Sequence, residues 1–202
     1  MTYIKICGIT TTDDALQIAD LGVDAIGFIF YPESKRYVTP EKAHEIIKHL
    51  PPFISTVGVF VNENNVTDIL HKCSLDFLQF HGDESPEYCA GFNKRIIKAF
   101  RVSEDFSCSR LADYSVSAFL LDSFVKEHYG GTGTVFDWDK AVEAKKYGKI
   151  ILSGGLNPEN IGDALEIVKP YGVDISSGVE IEPGIKDIEK VKQIVQICRN
   201  KV

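Results

Sequence analysis

Lys149-Ile150-Ile151-Leu152-Ser153-Gly154-Gly155-Leu156-Asn157-Pro158 is a short apolar strand that runs straight into a double glycine. Val173-Asp174-Ile175-Ser176-Ser177-Gly178-Val179-Glu180 follows the same plan. Glycines let backbone N–H groups approach an anion closely, and a helix N-terminus behind them adds unpaired donors and a favourable dipole. In a (β/α)8 barrel the loops after the last two strands form the usual phosphate site. Two such turns in the last two strand positions predict both that barrel and a phosphorylated small-molecule ligand.

Upstream, strand-like and helix-like segments alternate along the whole chain. Strands are predicted at Tyr3–Ile6, Ala25–Phe30, Ile54–Phe60, Phe77–Phe80, Ile96–Phe100, Ala118–Leu121, Lys149–Leu152 and Val173–Ser176. Helices are predicted at Thr12–Leu21, Glu41–Leu50, Val66–Cys73, Pro86–Gly91, Glu104–Tyr114, Asp137–Tyr147, Pro158–Val168 and Asp187–Asn200. Asn157 ahead of Pro158 reads as a cap followed by proline in the first turn. Alternation with short links means a parallel sheet, and a count of eight favours closure into an α/β TIM barrel over an open sheet. No linker or low-complexity tract divides residues 1–202, so one domain is expected.

Composition narrows the function classes. With 22 basic against 29 acidic residues the net charge is −7, which argues against a nucleic-acid surface. Lys145-Lys146 reads as a solvated helix face. No apolar run approaches a membrane span, and the N-terminus lacks the apolar stretch of a signal peptide. The expectation is a soluble, cytoplasmic protein with no membrane or nucleic-acid partner. The five cysteines form no CxxC pair, which argues against a disulfide framework and against a zinc site. Cys73, Cys89, Cys108 and Cys198 read as packing residues.

Alternate strand residues face opposite sides of the sheet. On the first strand Tyr3, Lys5 and Cys7 oppose Ile4 and Ile6; on the fourth Phe77, Gln79 and His81 oppose Leu78 and Phe80. The aliphatic sets should meet the helices, leaving the polar sets inside the barrel or at its mouth. Polar residues at C-terminal strand ends are where this architecture carries its chemistry. Cys7 is either a small buried residue or a thiolate base or nucleophile. Asp122 either caps a turn or moves a proton. Arg36, on the loop after the second strand, either grips a carboxylate bidentately or is a solvated surface residue. His81 is an acid, a hydrogen-bond donor or a packed ring. Residues 122–136 form the longest predicted loop, in which Gly130-Gly131-Thr132-Gly133 reads as a weak phosphate signal or a hinge of a lid. Lys5 and Asp174 should lie inside the seam that closes the barrel, and an ion pair between them is expected.

Read together, Lys5-Ile6-Cys7-Gly8-Ile9-Thr10, the run Gly27-Phe28-Ile29-Phe30-Tyr31-Pro32 with Ser34, Arg36 and Tyr37, Gln79-Phe80-His81-Gly82, Asp122, Gly130–Gly133 with Phe136-Asp137-Trp138, Ser153-Gly154-Gly155-Leu156, and Asp174 with Ser176-Ser177-Gly178-Val179-Glu180 resemble the phosphoribosylanthranilate isomerases of tryptophan biosynthesis. The resemblance spans nearly the whole chain. Phe80 stands where the family often has leucine, in a position expected to face the helices. The resemblance implies an Amadori rearrangement with Asp122 as acid, Cys7 as base and no metal or organic cofactor. It also implies that Gly154, Gly155, Ser176, Ser177 and Gly178 hold the 5-phosphate. Arg36 would then address the anthranilate carboxylate, Asp174 the polar bridge between sugar and ring, and His81 would be a further substrate contact. The implied partner is a phosphosugar, bound by a monomer or a homodimer.

Three other readings compete. A histidine-pathway aldose isomerase needs an aspartate pair and a second phosphate turn after the fourth strand, where this chain has neither. A ligand-binding barrel without turnover has no use for both a thiol and a carboxyl at its mouth. A flavin-binding barrel would be yellow.

Overall fold

The computed structural model describes residues 1–123 and 138–200. The predicted loop 122–136 and the glycine run within it fall almost wholly outside these residues, as do Phe136 and Asp137. The strands are β1 (Tyr3–Cys7), β2 (Ala25–Ile29), β3 (Ser55–Phe60), β4 (Phe77–Phe80), β5 (Arg95–Val102), β6 (Ala118–Ser123), β7 (Ile150–Ser153) and β8 (Gly172–Ile175). Each pairs in parallel with the next and β8 pairs with β1, so the sheet closes. The helices are α1 (Thr12–Asp20), α2 (Pro40–Ile47), α3 (Val66–Cys73), α4 (Pro86–Ala90), α5 (Trp138–Ala144), α6 (Ile161–Val168) and α7 (Ile188–Asn200). Among the described residues no helix is long and apolar enough to cross a membrane.

Local chemistry sets the helix starts. The Thr39 and Ser85 hydroxyls accept from the backbone N–H groups of Lys42 and Tyr88, each with a proline directly behind the cap. That combination satisfies one free donor and presets φ for the first turn. Asn157-Pro158 looks the same in sequence but does something else. Asn157 Oδ1 accepts from the N–H groups of Glu159 and Asn160, closing a turn, and α6 begins only at Ile161. The predicted helix over 104–114 is likewise a 3-10 helix over Cys108–Asp113. Its buried side chains, Cys108 and Leu111, lie three apart, a spacing that suits three residues per turn. A further 3-10 turn, Lys145–Tyr147, extends α5, with both lysines exposed.

Strand alternation places the core as expected. Ile4, Ile6, Leu78 and Phe80 pack in the layer between barrel and helices, and Phe80 meets the rings of Tyr88 and Phe92 there. Val57, Ile97, Ala99, Ala118, Leu120 and Ile151 form a smaller cluster inside the barrel. Cys73, Cys89, Cys108 and Cys198 are all buried in the outer layer, the last beside Val191 and Ile194 of α7. One element was not anticipated. After β8, a 3-10 turn (Ser177–Val179) leads into a small antiparallel hairpin of β9 (Glu180–Glu182) and β10 (Ile185–Lys186).

Candidate active site

Cys7, Arg36, His81, Asp122, Gly154, Gly155, Asp174, Ser176, Ser177 and Gly178 all line one cavity of about 360 Å3 at the C-terminal ends of the strands. They come from β1, β6 and β8 and from the loops after β2, β4, β7 and β8. A larger cavity of about 730 Å3 opens at the opposite mouth, where strands begin at Tyr3, Arg95 and Gly172. Its acidic residue Asp24 is already engaged, accepting from the Ile4 N–H at 2.7 Å and from Arg199 at 2.9 Å. Of the two, it is the smaller cavity that joins a thiol, an imidazole and a carboxyl with glycine turns.

Parity and register build the floor. Lys5 lies opposite Asp174 in the β1–β8 ladder, and Lys5 Nζ donates to Asp174 Oδ1 at 2.9 Å. The expected ion pair is therefore present. Burial opposes the Lys5 charge, but Asp174 and Cys7 outweigh it and leave its pKa above the ordinary ammonium value. Gly27 of β2 makes the space for this group. A Cβ there would lie 2.8 Å from Cys7 Sγ and 2.9 Å from Lys5 Nζ.

Cys7 ends β1 and is 5% exposed. Burial pushes its thiol up, Lys5 pulls it down, Asp174 adds to the rise and Lys186 opposes it; the net direction is upward. Burial thus works against the thiolate form here, and the adjacent ammonium groups work for it. Across the cavity Asp122 belongs to β6. Its Oδ2 lies 3.3 Å from His81 Nε2, and the other ring nitrogen of His81 lies 3.4 Å from Gln79 Nε2. His81 is thus an oriented ring bridging Gln79 and the carboxyl.

The glycine turns close against one another. Gly154 and Gly155 have φ of +87° and +64°, a left-handed pair that side chains resist. Asn160 pins this turn, donating to the Gly155 carbonyl at 2.9 Å and accepting from Asn157 N–H at 2.9 Å. A Cβ on Gly178 would overlap the Leu156 carbonyl oxygen, so the loops after β7 and β8 touch only because that position is glycine. Among the described residues, two buried side-chain atoms lack a hydrogen-bond partner, Ser176 Oγ and Gln79 Oε1. Both residues line this cavity. Buried polar atoms without partners are uncommon, and two in one cavity suit a polar ligand.

Arg36 is neither a solvated arginine nor one with an empty fork. Its Nε and Nη2 bind Glu180 of the hairpin at 2.6–3.0 Å. Glu180 ends the motif that begins at Asp174 but has no role legible from sequence, and Lys186 lies outside every motif. The one available signal was Pro183-Gly184, a turn dipeptide just ahead of the second hairpin strand. Among the described residues no cluster of three or more His, Cys, Asp or Glu has the geometry to hold a metal ion.

The family model described as N-(5'phosphoribosyl)anthranilate (PRA) isomerase matches residues 4–197 of this chain. An N-(5'-phosphoribosyl)anthranilate isomerase of Geotalea uraniireducens (strain Rf4) is 52% identical over 198 residues, which cover 97% of this chain and 98% of the relative. Among solved structures, phosphoribosyl anthranilate isomerase from Thermotoga maritima aligns with a TM-score of 0.90 at 42% identity, over 99% of this chain and 100% of the other. A phosphoribosyl anthranilate isomerase in complex with reduced 1-(o-carboxyphenylamino)-1-deoxyribulose 5-phosphate aligns with a TM-score of 0.88 at 39% identity, with the same coverage.

Proposed function

The chain belongs to the N-(5'-phosphoribosyl)anthranilate isomerase family, and from that premise we propose that it rearranges N-(5-phosphoribosyl)anthranilate to 1-(2-carboxyphenylamino)-1-deoxyribulose 5-phosphate in tryptophan biosynthesis. Asp122 protonates the furanose ring oxygen, and the ring opens to a protonated Schiff base. Cys7 takes the C2′ proton, which gives an enolamine that tautomerises to the ketone. Protons move and no electrons leave, so an acid and a base suffice. The buried thiol fits this order of events. Lys5 and Lys186 favour the thiolate against burial, and the cationic Schiff base favours it further; the thiol's own proton leaves to water at the cavity mouth before the C2′ proton is taken.

The loops at Gly154-Gly155 and Ser176-Ser177-Gly178 hold the 5-phosphate, with Ser176 Oγ as a waiting donor. Arg36 takes the anthranilate carboxylate, His81 orients Asp122, and Asp174 bridges sugar and ring. One chain supplies every residue assigned here, so the proposal covers a cytoplasmic monomer and a homodimer alike. The observation that carries it is the single cavity into which thiol, carboxyl and both glycine turns open. The test is loss of anthranilate fluorescence when EDTA-treated protein meets the substrate. Turnover supports the reading; its absence, or its dependence on added metal, contradicts it.

A further inference from the structure

The hairpin after β8 places two buried charges behind Arg36. Glu180 Oε1 and Oε2 accept from Arg36 Nε at 2.8 and 3.0 Å, and Oε2 accepts from Nη2 at 2.6 Å. Lys186 Nζ donates to Glu180 Oε1 at 2.8 Å, and the Gly184 N–H reaches the same oxygen at 3.3 Å. Side-chain exposure falls from 22% for Arg36 to 5% for Glu180 and 0% for Lys186. Lys186 Nζ also donates to the Cys7 carbonyl at 2.6 Å and the Ser176 carbonyl at 3.2 Å, so it ties the ends of β1 and β8 together. Burial works against the Glu180 carboxylate, but Arg36 and Lys186 outweigh it and keep it ionised.

We infer that Glu180 is a positioning residue for substrate recognition: it turns the Arg36 guanidinium so that its free edge meets the substrate carboxylate. The inference rests on the assignment of Arg36 proposed above. The bonds to Glu180 use Nε and Nη2, not Nη1, and Arg36 lines the cavity. An arginine held on one edge keeps its other donors pre-oriented, which removes much of the rotamer entropy lost on binding. Lys186 is essential to this arrangement. Without it Glu180 would cancel the charge it orients; with it the three side chains keep a net single positive charge for the ligand.

Orientation and simple electrostatics predict opposite signs, which makes the inference testable. Glu180→Gln adds positive charge to the site. If charge alone mattered, the variant would bind the anionic ligand more tightly. The experiment measures inhibition by a reduced product analogue and by its carboxylate-free counterpart, in wild type, Arg36→Met, Glu180→Gln and the double variant. Glu180→Gln is expected to weaken the carboxylate-bearing analogue about tenfold and the other less than about twofold. It should have no further effect on that selectivity once Arg36 is methionine. Glu180→Asp, which keeps the charge but shortens the arm, should fall between and serves in place of Glu180→Gln if the latter does not fold. Unchanged, tighter or unselectively weakened binding in both Glu180 variants, beside a selective loss in Arg36→Met, overturns the inference alone. Equal losses for both analogues in Arg36→Met overturn the Arg36 assignment and the inference with it.

Discussion

Lys5 and Asp174 sit side by side across the β1–β8 seam, their charged atoms 2.9 Å apart and their side chains each 6% exposed. Removing one partner of such a pair leaves the other charge buried and uncompensated, a loss of about 3–5 kcal/mol, whereas removing both together costs far less. Lys5→Met is therefore expected to lower the urea unfolding free energy by that amount, and adding Asp174→Leu should restore most of it. A Lys5→Met protein as stable as wild type would show that the pair does not hold the seam.

The buried cysteines give stability a distinct alkaline limit. Burial lifts the thiols of Cys73, Cys89 and Cys198 from 9.0 to about 11. A folded-state pKa above the unfolded one means that the native protein keeps protons the unfolded chain has lost. The contribution is complete below pH 9 and is lost as pH climbs towards about 11. Unfolding free energies measured across this window should fall more steeply for wild type than for Cys198→Ala. Parallel slopes would count against a raised Cys198 thiol.

Substitution at the glycine turns should act on binding rather than on the chemical step. Gly178→Ala forces a Cβ against the Leu156 carbonyl oxygen and must separate the two loops. Gly154→Asp sets a carboxylate against the phosphate. Both are expected to raise KM and to weaken competitive inhibition by inorganic phosphate, while Gly22→Ala, between α1 and β2, strains the backbone at a φ of +84° but meets nothing around its Cβ and should leave phosphate inhibition intact. Wild-type KM in Gly154→Asp would place the phosphate elsewhere.

Much of the site was legible because the barrel converts a period of two into position. Alternation put Lys5, Cys7, Gln79 and His81 inside, and the ends of strands put Asp122 and the glycine turns at one mouth. What stayed hidden depended on contacts that leave no local period. Arg36 and Glu180 are 144 residues apart in sequence, and the hairpin carrying Glu180 and Lys186 has strands of three and two residues, too short to show alternation. Lys98 is a second case: it lies on the helix-facing side of β5 between Ile96 and Phe100, where parity predicts an apolar residue. It is paired with buried Glu84 at 3.0 Å and donates to the Phe80 and Gly82 carbonyls on either side of His81. Asn157 misled for a different reason. Its side chain competes for the same backbone donors whether it caps a helix or closes a turn, and Asn160 is committed to the Gly155 carbonyl.

The central claim is that Cys7 and Asp122 act as base and acid on N-(5-phosphoribosyl)anthranilate. It is tested most directly by following the loss of substrate fluorescence with wild type, Cys7→Ala and Asp122→Asn, beside binding of a reduced product analogue to each. The account predicts turnover by wild type and a fall in kcat of at least about 10²-fold in either variant, with analogue binding nearly unchanged. A wild-type protein that leaves the fluorescence untouched, or either variant keeping more than about a tenth of wild-type kcat with chemistry rate-limiting, would contradict it.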